Sequence, residues 1–138
     1  RLWEFVSDLR TFLVTDPYHR RMISMRKPLE PGDHLAIEHG LLGVSFFRFG
    51  RLLGWSEGSG YAFSDLSARG PRCGFPHIFE VAVEASRESP RECSRLRIEV
   101  KGRWTAMLVP IVLREWWLNF TCRRHLRLLH RKLEELFT

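Results

Sequence analysis

The chain has 138 residues, of which 44% are hydrophobic and 28% are charged. These proportions are close to the average of globular proteins, and they exclude a disordered tail, a collagen-like chain and a small disulfide-stapled scaffold. The 22 basic residues outnumber the 16 acidic ones and give a net charge of +6. No apolar run approaches the roughly 20 residues of a membrane-spanning helix. The sequence therefore predicts one globular domain over residues 1–138.

The basic residues are spread along the whole chain instead of forming one patch, so a nucleic-acid partner is not expected. The three cysteines, Cys73, Cys93 and Cys122, show no CxxC spacing. This argues against a zinc–thiolate site and a closed disulfide set, and it favours a reducing compartment. The first residue is Arg and a helical pattern starts at once, so we expect a further segment before residue 1.

Apolar residues recur at three- and four-residue steps over residues 2–13, which predicts an amphipathic helix. Asp16-Pro17 ends it, because the residue before a proline avoids the helical conformation. Residues 18–25 are compatible with a short second helix or with a strand. Residues 28–32 contain Pro and Gly in the positions typical of a turn.

Between residues 34 and 108 the apolar residues alternate with a period of two, which is typical of strands. The predicted strands cover residues 34–42, 44–55, 61–68, 75–86 and 94–108. In the last of them, Ile98, Val100 and Trp104 are predicted to face the core, while Arg97 and Glu99 face water. Short loops join the strands, so the pattern predicts an antiparallel meander with one buried face.

Pro110 precedes a long amphipathic helix predicted over residues 111–137. Its leucines at 126, 129 and 133 are predicted to pack on the sheet. The fold class is therefore α+β, with an antiparallel twisted sheet wrapped around a long C-terminal helix. Arg123, Arg127 and Arg131 follow another face of the helix. They would suit an anionic membrane surface or a protein partner, and the alternative is a solvated helix face.

The order of these segments resembles the START-like (SRPBCC) superfamily with its helix-grip fold, in particular the branch of polyketide cyclases and lipid-transport proteins. The resemblance is carried by Leu2-Trp3-Glu4-Phe5-Val6-Ser7-Asp8 with the Asp16-Pro17 stop, Pro31-Gly32-Asp33, Trp55-Ser56-Glu57, Phe63-Ser64-Asp65 and Phe75-Pro76-His77-Ile78-Phe79. It covers nearly the whole chain. The superfamily's initial strand, which precedes the first helix, has no counterpart here.

This resemblance implies an apolar cavity between the sheet and the C-terminal helix. We therefore expect the domain to bind or carry an apolar small molecule, such as a lipid, an isoprenoid, a quinone or a polyketide-like compound, without a cofactor. The expected lining residues are Phe47, Phe49, Tyr61, Phe63, Asp65, His77, Phe79, Val100, Trp104 and Trp117. Two alternatives stay open: an aromatase/cyclase-type enzyme in which His77 or Asp65 transfers a proton, and an interaction subunit that docks through its basic helix.

The histidines suggest no metal site by spacing. No pair has the HExxH pattern of a zinc helix, and His34 and His39 fall on opposite faces of one strand. His125 and His130 are five residues apart on a helix and point in different directions. No nucleophile elbow and no phosphate-binding glycine loop is present, so no catalytic residue is predicted.

Three polar residues in the predicted strands remain as candidate ligand anchors. Asp65 continues the face of Tyr61 and Phe63, and it is either a pocket carboxylate or a solvated turn residue. Arg48 lies on the face opposite to Arg51, and an inward arginine would pair with Asp65 or bind an anionic head group. His77 either orients a ligand or is a hydrogen-bonded histidine at a strand edge.

Overall fold

The structure, a computed structural model of the chain, describes residues 1–24, 28–85, 94–105 and 109–137. It begins with two short helices, α1 (Leu2–Ser7) and α2 (Leu9–Phe12), and a 3-10 turn over Leu13–Thr15. The strands that follow are β1 (His19–Ser24), β2 (His34–Leu41), β3 (Val44–Ser56), β4 (Gly60–Ser67), β5 (His77–Ala85) and β6 (Ser94–Gly102). The described part ends in the long helix α3 (Ile111–Phe137).

The six strands form one antiparallel sheet in sequence order, with β1 and β6 at its edges. The predicted α+β fold class is confirmed: an open, twisted antiparallel sheet is followed by a long C-terminal helix, in a helix-grip-like arrangement. Residues 19–24 are a strand, which decides between the two alternatives for that segment. The predicted last strand stops at Gly102. Cys93 and residues 106–108 lie outside the described ranges.

The predicted N-terminal helix is divided in two at Asp8. Its side chain accepts a hydrogen bond from the backbone N–H of Arg10, at 3.3 Å, and one from the hydroxyl of Thr11, at 2.7 Å. The ψ of Asp8 itself is 85°, which is not helical. An aspartate that bonds the backbone just ahead of it caps a new helix, so the periodicity continues across a break in the hydrogen bonding.

The two N-terminal helices supply most of the apolar cover over the inner face of the sheet. Phe5, Val6, Leu9 and Phe12 are buried there against strand residues. The strand residues of this core are Leu35, Ile37, Leu52, Tyr61, Phe63, Phe79 and Val81. In β6 the predicted alternation is confirmed at Leu96 and Ile98, which pack against the core, and at Arg97, which is exposed, whereas Val100, predicted to face the core, is 44% exposed.

The long helix α3 buries fewer of its leucines than its pattern predicts. Leu129 is 5% exposed and Leu133 packs partly on the core, but Leu126 is 62% exposed, so its predicted burial is wrong. The helix touches the N-terminal segment instead of lying along the whole sheet, and this leaves Leu126 without cover. Within the described residues, none of the helices combines the length and the apolar character needed to cross a membrane.

Replacing Leu129 with alanine is expected to lower the free energy of unfolding by roughly 2–5 kcal/mol, because the substitution removes buried methyl groups and leaves a cavity. The matched control is Leu126→Ala, on the same helix, which should change stability by less than about 0.5 kcal/mol because the side chain is exposed. Urea denaturation followed by circular dichroism measures both. Equal losses in the two variants would contradict the placement of the helix.

Candidate functional site

A cluster of ionisable side chains lies on the inner face of the sheet, at one end of the core. Five neighbouring strands each contribute one residue to it, and we name this group the Asp65 cluster: His19, His39, Arg48, Asp65 and His77. Asp65 is fully buried, and the exposure of His19, His39 and Arg48 is 7%, 6% and 8%. The predicted alternative of a solvated Asp65 is therefore wrong.

The curl of the sheet brings this cluster together. His19 is paired with His39 across β1 and β2, and Asp65 is paired with His77 across β4 and β5. Three strand spacings separate β1 from β4, or about 14 Å in a flat sheet. Nevertheless, His19 Nε2 lies 3.7 Å from Asp65 Oδ2. On β3 between them, Gly50 comes so close to the Ser64 carbonyl that any side chain there would clash with it.

Arg48 fixes one half of the Asp65 carboxylate. Its Nε donates a short hydrogen bond to Oδ1. Its Nη2 donates to the backbone carbonyl of Asp65 at 3.0 Å and to that of Phe75 at 2.7 Å. The sequence left open whether Arg48 or Arg51 faces inward, and the structure shows that Arg48 does so and pairs with Asp65. The bond to Oδ1 orients the carboxylate, and the two bonds to backbone carbonyls hold the guanidinium of Arg48 in place.

The second oxygen of this carboxylate, Asp65 Oδ2, faces three imidazoles. The Nε2 atoms of His39, His77 and His19 lie 3.3, 3.5 and 3.7 Å from it. Nevertheless, Oδ2 has no hydrogen-bond partner among the described residues, although it is buried. A buried carboxylate oxygen in this condition is costly, because burial removes the water that would otherwise bind it.

The other ring nitrogen of each histidine points to a backbone carbonyl. The Nδ1 atoms of His77, His19 and His39 lie 2.9, 3.2 and 3.4 Å from the carbonyl oxygens of Phe75, Leu13 and Ile37. A carbonyl oxygen can only accept a hydrogen bond, so the proton of a neutral ring is placed on Nδ1. Nε2, the nitrogen that faces Asp65, then carries a proton only when the ring is charged.

Burial and the neighbouring charges shift the pKa values of the cluster in opposite directions. Burial tends to raise the pKa of Asp65, but the interactions with His19, His39 and His77 outweigh it and hold that pKa well below its usual range. Burial lowers the pKa of His77 in spite of the attraction of Asp65. Burial also acts to lower the pKa of His19, but Asp16 and Asp65 reverse the direction and leave it raised. The carboxyl of Asp65 is therefore ionised at neutral pH.

A further histidine, His125 on α3, lies next to the cluster without joining it. Its Nε2 is 3.1 Å from the hydroxyl of Thr15, and its Nδ1 is 3.7 Å from Asp16. The ring stacks against Phe79. Burial lowers the pKa of His125, the main opposing effect being the charge of Asp16. These contacts attach α3 to the N-terminal segment beside the site.

The structure unites part of the predicted lining and separates the rest. Asp65 and His77 meet in the cluster, and Phe79, Phe63 and Tyr61 continue from it as a stacked row in the core. Phe47 and Phe49 are 47% and 49% exposed, because the alternation of β3 puts them on the face opposite to Arg48. They do not line the inner face.

The remaining predicted residues lie towards the rim. Val100 pairs with Phe79 but is 44% exposed, because nothing in the described residues covers that part of the inner face. Trp104 packs on Phe75 at 5.3 Å between ring centroids. Trp117, in the second turn of α3, stacks on Tyr18 at 5.4 Å between ring centroids.

The sequence analysis does not name His19 as a candidate, and it considers His39 only in comparison with His34, on the opposite face of the same strand. Strand parity would have placed His39 on the inner face, since it shares the phase of Leu35 and Ile37. No such signal existed for His19, because the strand itself was uncertain. The absence of a metal site was predicted from helix spacing, and a group assembled across several strands has no characteristic spacing in sequence.

Comparison with models of known protein families and with curated protein sequences finds no match for this chain. The chemistry of the site is therefore inferred from its own geometry. An ionised, oriented carboxylate with an unpaired oxygen and surrounding imidazoles can anchor a polar group, exchange a proton or hold a metal ion.

Proposed function

We propose that the domain binds an apolar small molecule whose one polar group is anchored at the Asp65 cluster. The observation that carries this proposal is the combination of a buried charged cluster with accessible apolar side chains on the same face. Burying several ionisable groups costs free energy that hydrophobic residues of similar size would not cost. A cluster of this kind is therefore more readily explained by binding than by stability.

Apolar side chains flank the cluster and stay open to solvent. Phe46 stacks on His39 at 5.7 Å and is 39% exposed, and Val100 is 44% exposed beside Phe79. The first half of α3 also exposes apolar residues, among them Leu113, Trp116 and Phe120. These surfaces give an apolar ligand a place to bury its hydrocarbon part while a hydroxyl, carbonyl or carboxylate reaches the cluster.

The proposal predicts saturable binding of an apolar fluorophore, displaced by a lipid or isoprenoid extract. Val100→Trp should weaken the fluorophore's affinity at least about tenfold, since an indole there fills the inner face, and tenfold corresponds to roughly 1.4 kcal/mol. The matched control is Val44→Trp, at an exposed position near a hairpin, which should bind as the wild type does. Equal affinity in all three proteins would contradict the proposal.

A second candidate is catalysis of the aromatase/cyclase type. It is favoured by the contact of an ionised Asp65 with His77, whose lowered pKa provides a neutral imidazole as a proton acceptor. If the wild-type protein does not bind the fluorophore at all, an interaction subunit is favoured instead. Its partner, an anionic membrane or a protein, would then meet the exposed arginines Arg123, Arg127 and Arg131 of α3.

A further inference from the structure

We propose that the Asp65 cluster is a binding site for one divalent transition-metal ion, with His19 Nε2, His39 Nε2 and Asp65 Oδ2 as its protein ligands. These three atoms all lie within 4.8 Å of one another, and all three residues are buried. The proposal is independent of the binding of an apolar molecule, and either can fail alone.

The spacing of the three atoms suits a small ion at their centre. A tetrahedral ion with bonds of about 2.0–2.1 Å holds its ligand atoms about 3.4 Å apart. Asp65 Oδ2 lies 3.3 Å from His39 Nε2 and 3.7 Å from His19 Nε2. These distances are long for hydrogen bonds but fit two ligands of one ion. Bringing all three atoms to the same distance requires small side-chain movements.

The surroundings of the three ligands are those of a metal site. A histidine that binds a metal donates its other ring N–H to a carbonyl or carboxylate, and this fixes the orientation and the tautomer of the ring. The Nδ1 atoms of His19 and His39 face the carbonyls of Leu13 and Ile37. Arg48 holds Oδ1 of Asp65 in the same way. An ion would also supply the missing partner of the buried oxygen Oδ2.

The donor set selects the class of ion. Two imidazoles and one carboxylate favour zinc, iron, cobalt or nickel in the divalent state, whereas calcium and magnesium prefer oxygen ligands. His77 Nε2 is close to Oδ2, at 3.5 Å, but does not belong to the group of three. The fourth position of a tetrahedral ion is then left for water or for an oxygen of a bound molecule.

The charge balance says what that fourth ligand should be. Arg48 neutralises Asp65, so a divalent ion adds two uncompensated positive charges to a buried site. An anionic oxygen, such as hydroxide or a ligand carboxylate, reduces this cost. This last step rests on the proposed function, whereas binding of the ion itself does not.

The test is a titration of the chelator-treated 138-residue chain with Co²⁺, followed by its visible absorption. We expect uptake of one ion per chain with the intense bands of tetrahedral cobalt, and displacement of the cobalt by Zn²⁺. X-ray absorption of the zinc-loaded wild type should show two imidazoles and oxygen, without sulfur. Absence of uptake, or coordination by sulfur from cysteines, would overturn the assignment.

The variants His19→Gln and His39→Gln should each lower the affinity for Co²⁺ by about tenfold or more, as expected for loss of one ligand. His34→Gln is the matched control, because His34 lies on the same strand as His39 but on the exposed face. Near-ultraviolet circular dichroism verifies that each variant is folded. If a variant does not fold, the visible spectrum of the Co²⁺-treated wild type alone shows whether the site binds the ion. Equal affinity of a folded His39→Gln and His34→Gln would refute the site. If the metal-free protein still binds the fluorophore, the metal site is refuted while the proposed function stands.

Discussion

Replacing Arg48 with methionine is expected to lower the free energy of unfolding by about 3–5 kcal/mol, the usual cost of leaving a buried charge without its partner. Asp65 is fully buried, and Arg48 is the residue that binds its Oδ1. The substitution also leaves the carbonyl of Phe75 without the bond that Nη2 donates. Urea denaturation at neutral pH measures the loss.

Two further variants isolate the cause. Arg51→Met removes an arginine from the outward face of the same strand, where the side chain is exposed. It should alter stability by less than about 0.5 kcal/mol. The double variant Arg48→Met with Asp65→Asn should be more stable than Arg48→Met alone, because an amide carries no charge to bury. A loss for Arg48→Met below about 1 kcal/mol would mean that water reaches the carboxylate.

The regular elements follow directly from local patterns. Period-two alternation predicts β4, β5 and β6 because each of these strands has one face against the core and one towards solvent. The bounds of α3 match the predicted 111–137 because Pro110 marks its start and the apolar line continues to its end. Residues 2–13 show the limit of this approach, since a side-chain cap at Asp8 interrupts the helix without disturbing its periodicity.

Burial along α3 could not be predicted in the same way. The apolar line identifies which face of the helix avoids water, but it does not show how much of that face the rest of the chain covers. Leu129 belongs to the buried core and Leu126 is exposed, although both belong to the same apolar line. The N-terminal helices, which have shorter patterns, cover more of the core.

The candidate site, like the fold, can be predicted from local patterns only in part. The sequence predicts that either Arg48 or Arg51 faces inward, where an arginine would pair with Asp65 or bind an anionic head group, and the structure shows that Arg48 faces inward and pairs with Asp65. The approach of His19 was not predictable, since it depends on the curl accumulated over β1 to β4. Spacing rules describe ligands on one element, and they do not describe ligands contributed by several strands.

The second large effect is expected at Phe63. Its side chain is fully buried and stacks between Phe79, at 5.2 Å between ring centroids, and Tyr61, at 6.4 Å. Phe63→Ala should lower the free energy of unfolding by about 3–5 kcal/mol, because it removes an aromatic ring from the centre of a packed row. Thermal and urea denaturation give the value.

Phe49→Ala is the matched control for this prediction, because sequence alone assigned both phenylalanines to one pocket. Phe49 is 49% exposed on the outward face of β3, so its replacement should cost less than about 1 kcal/mol. The difference between the two variants measures which face of the sheet carries the core. A Phe49→Ala protein as unstable as Phe63→Ala would exchange the two faces of β3. It would thereby also move Arg48, which shares the strand and alternates with Phe49, out of the Asp65 cluster.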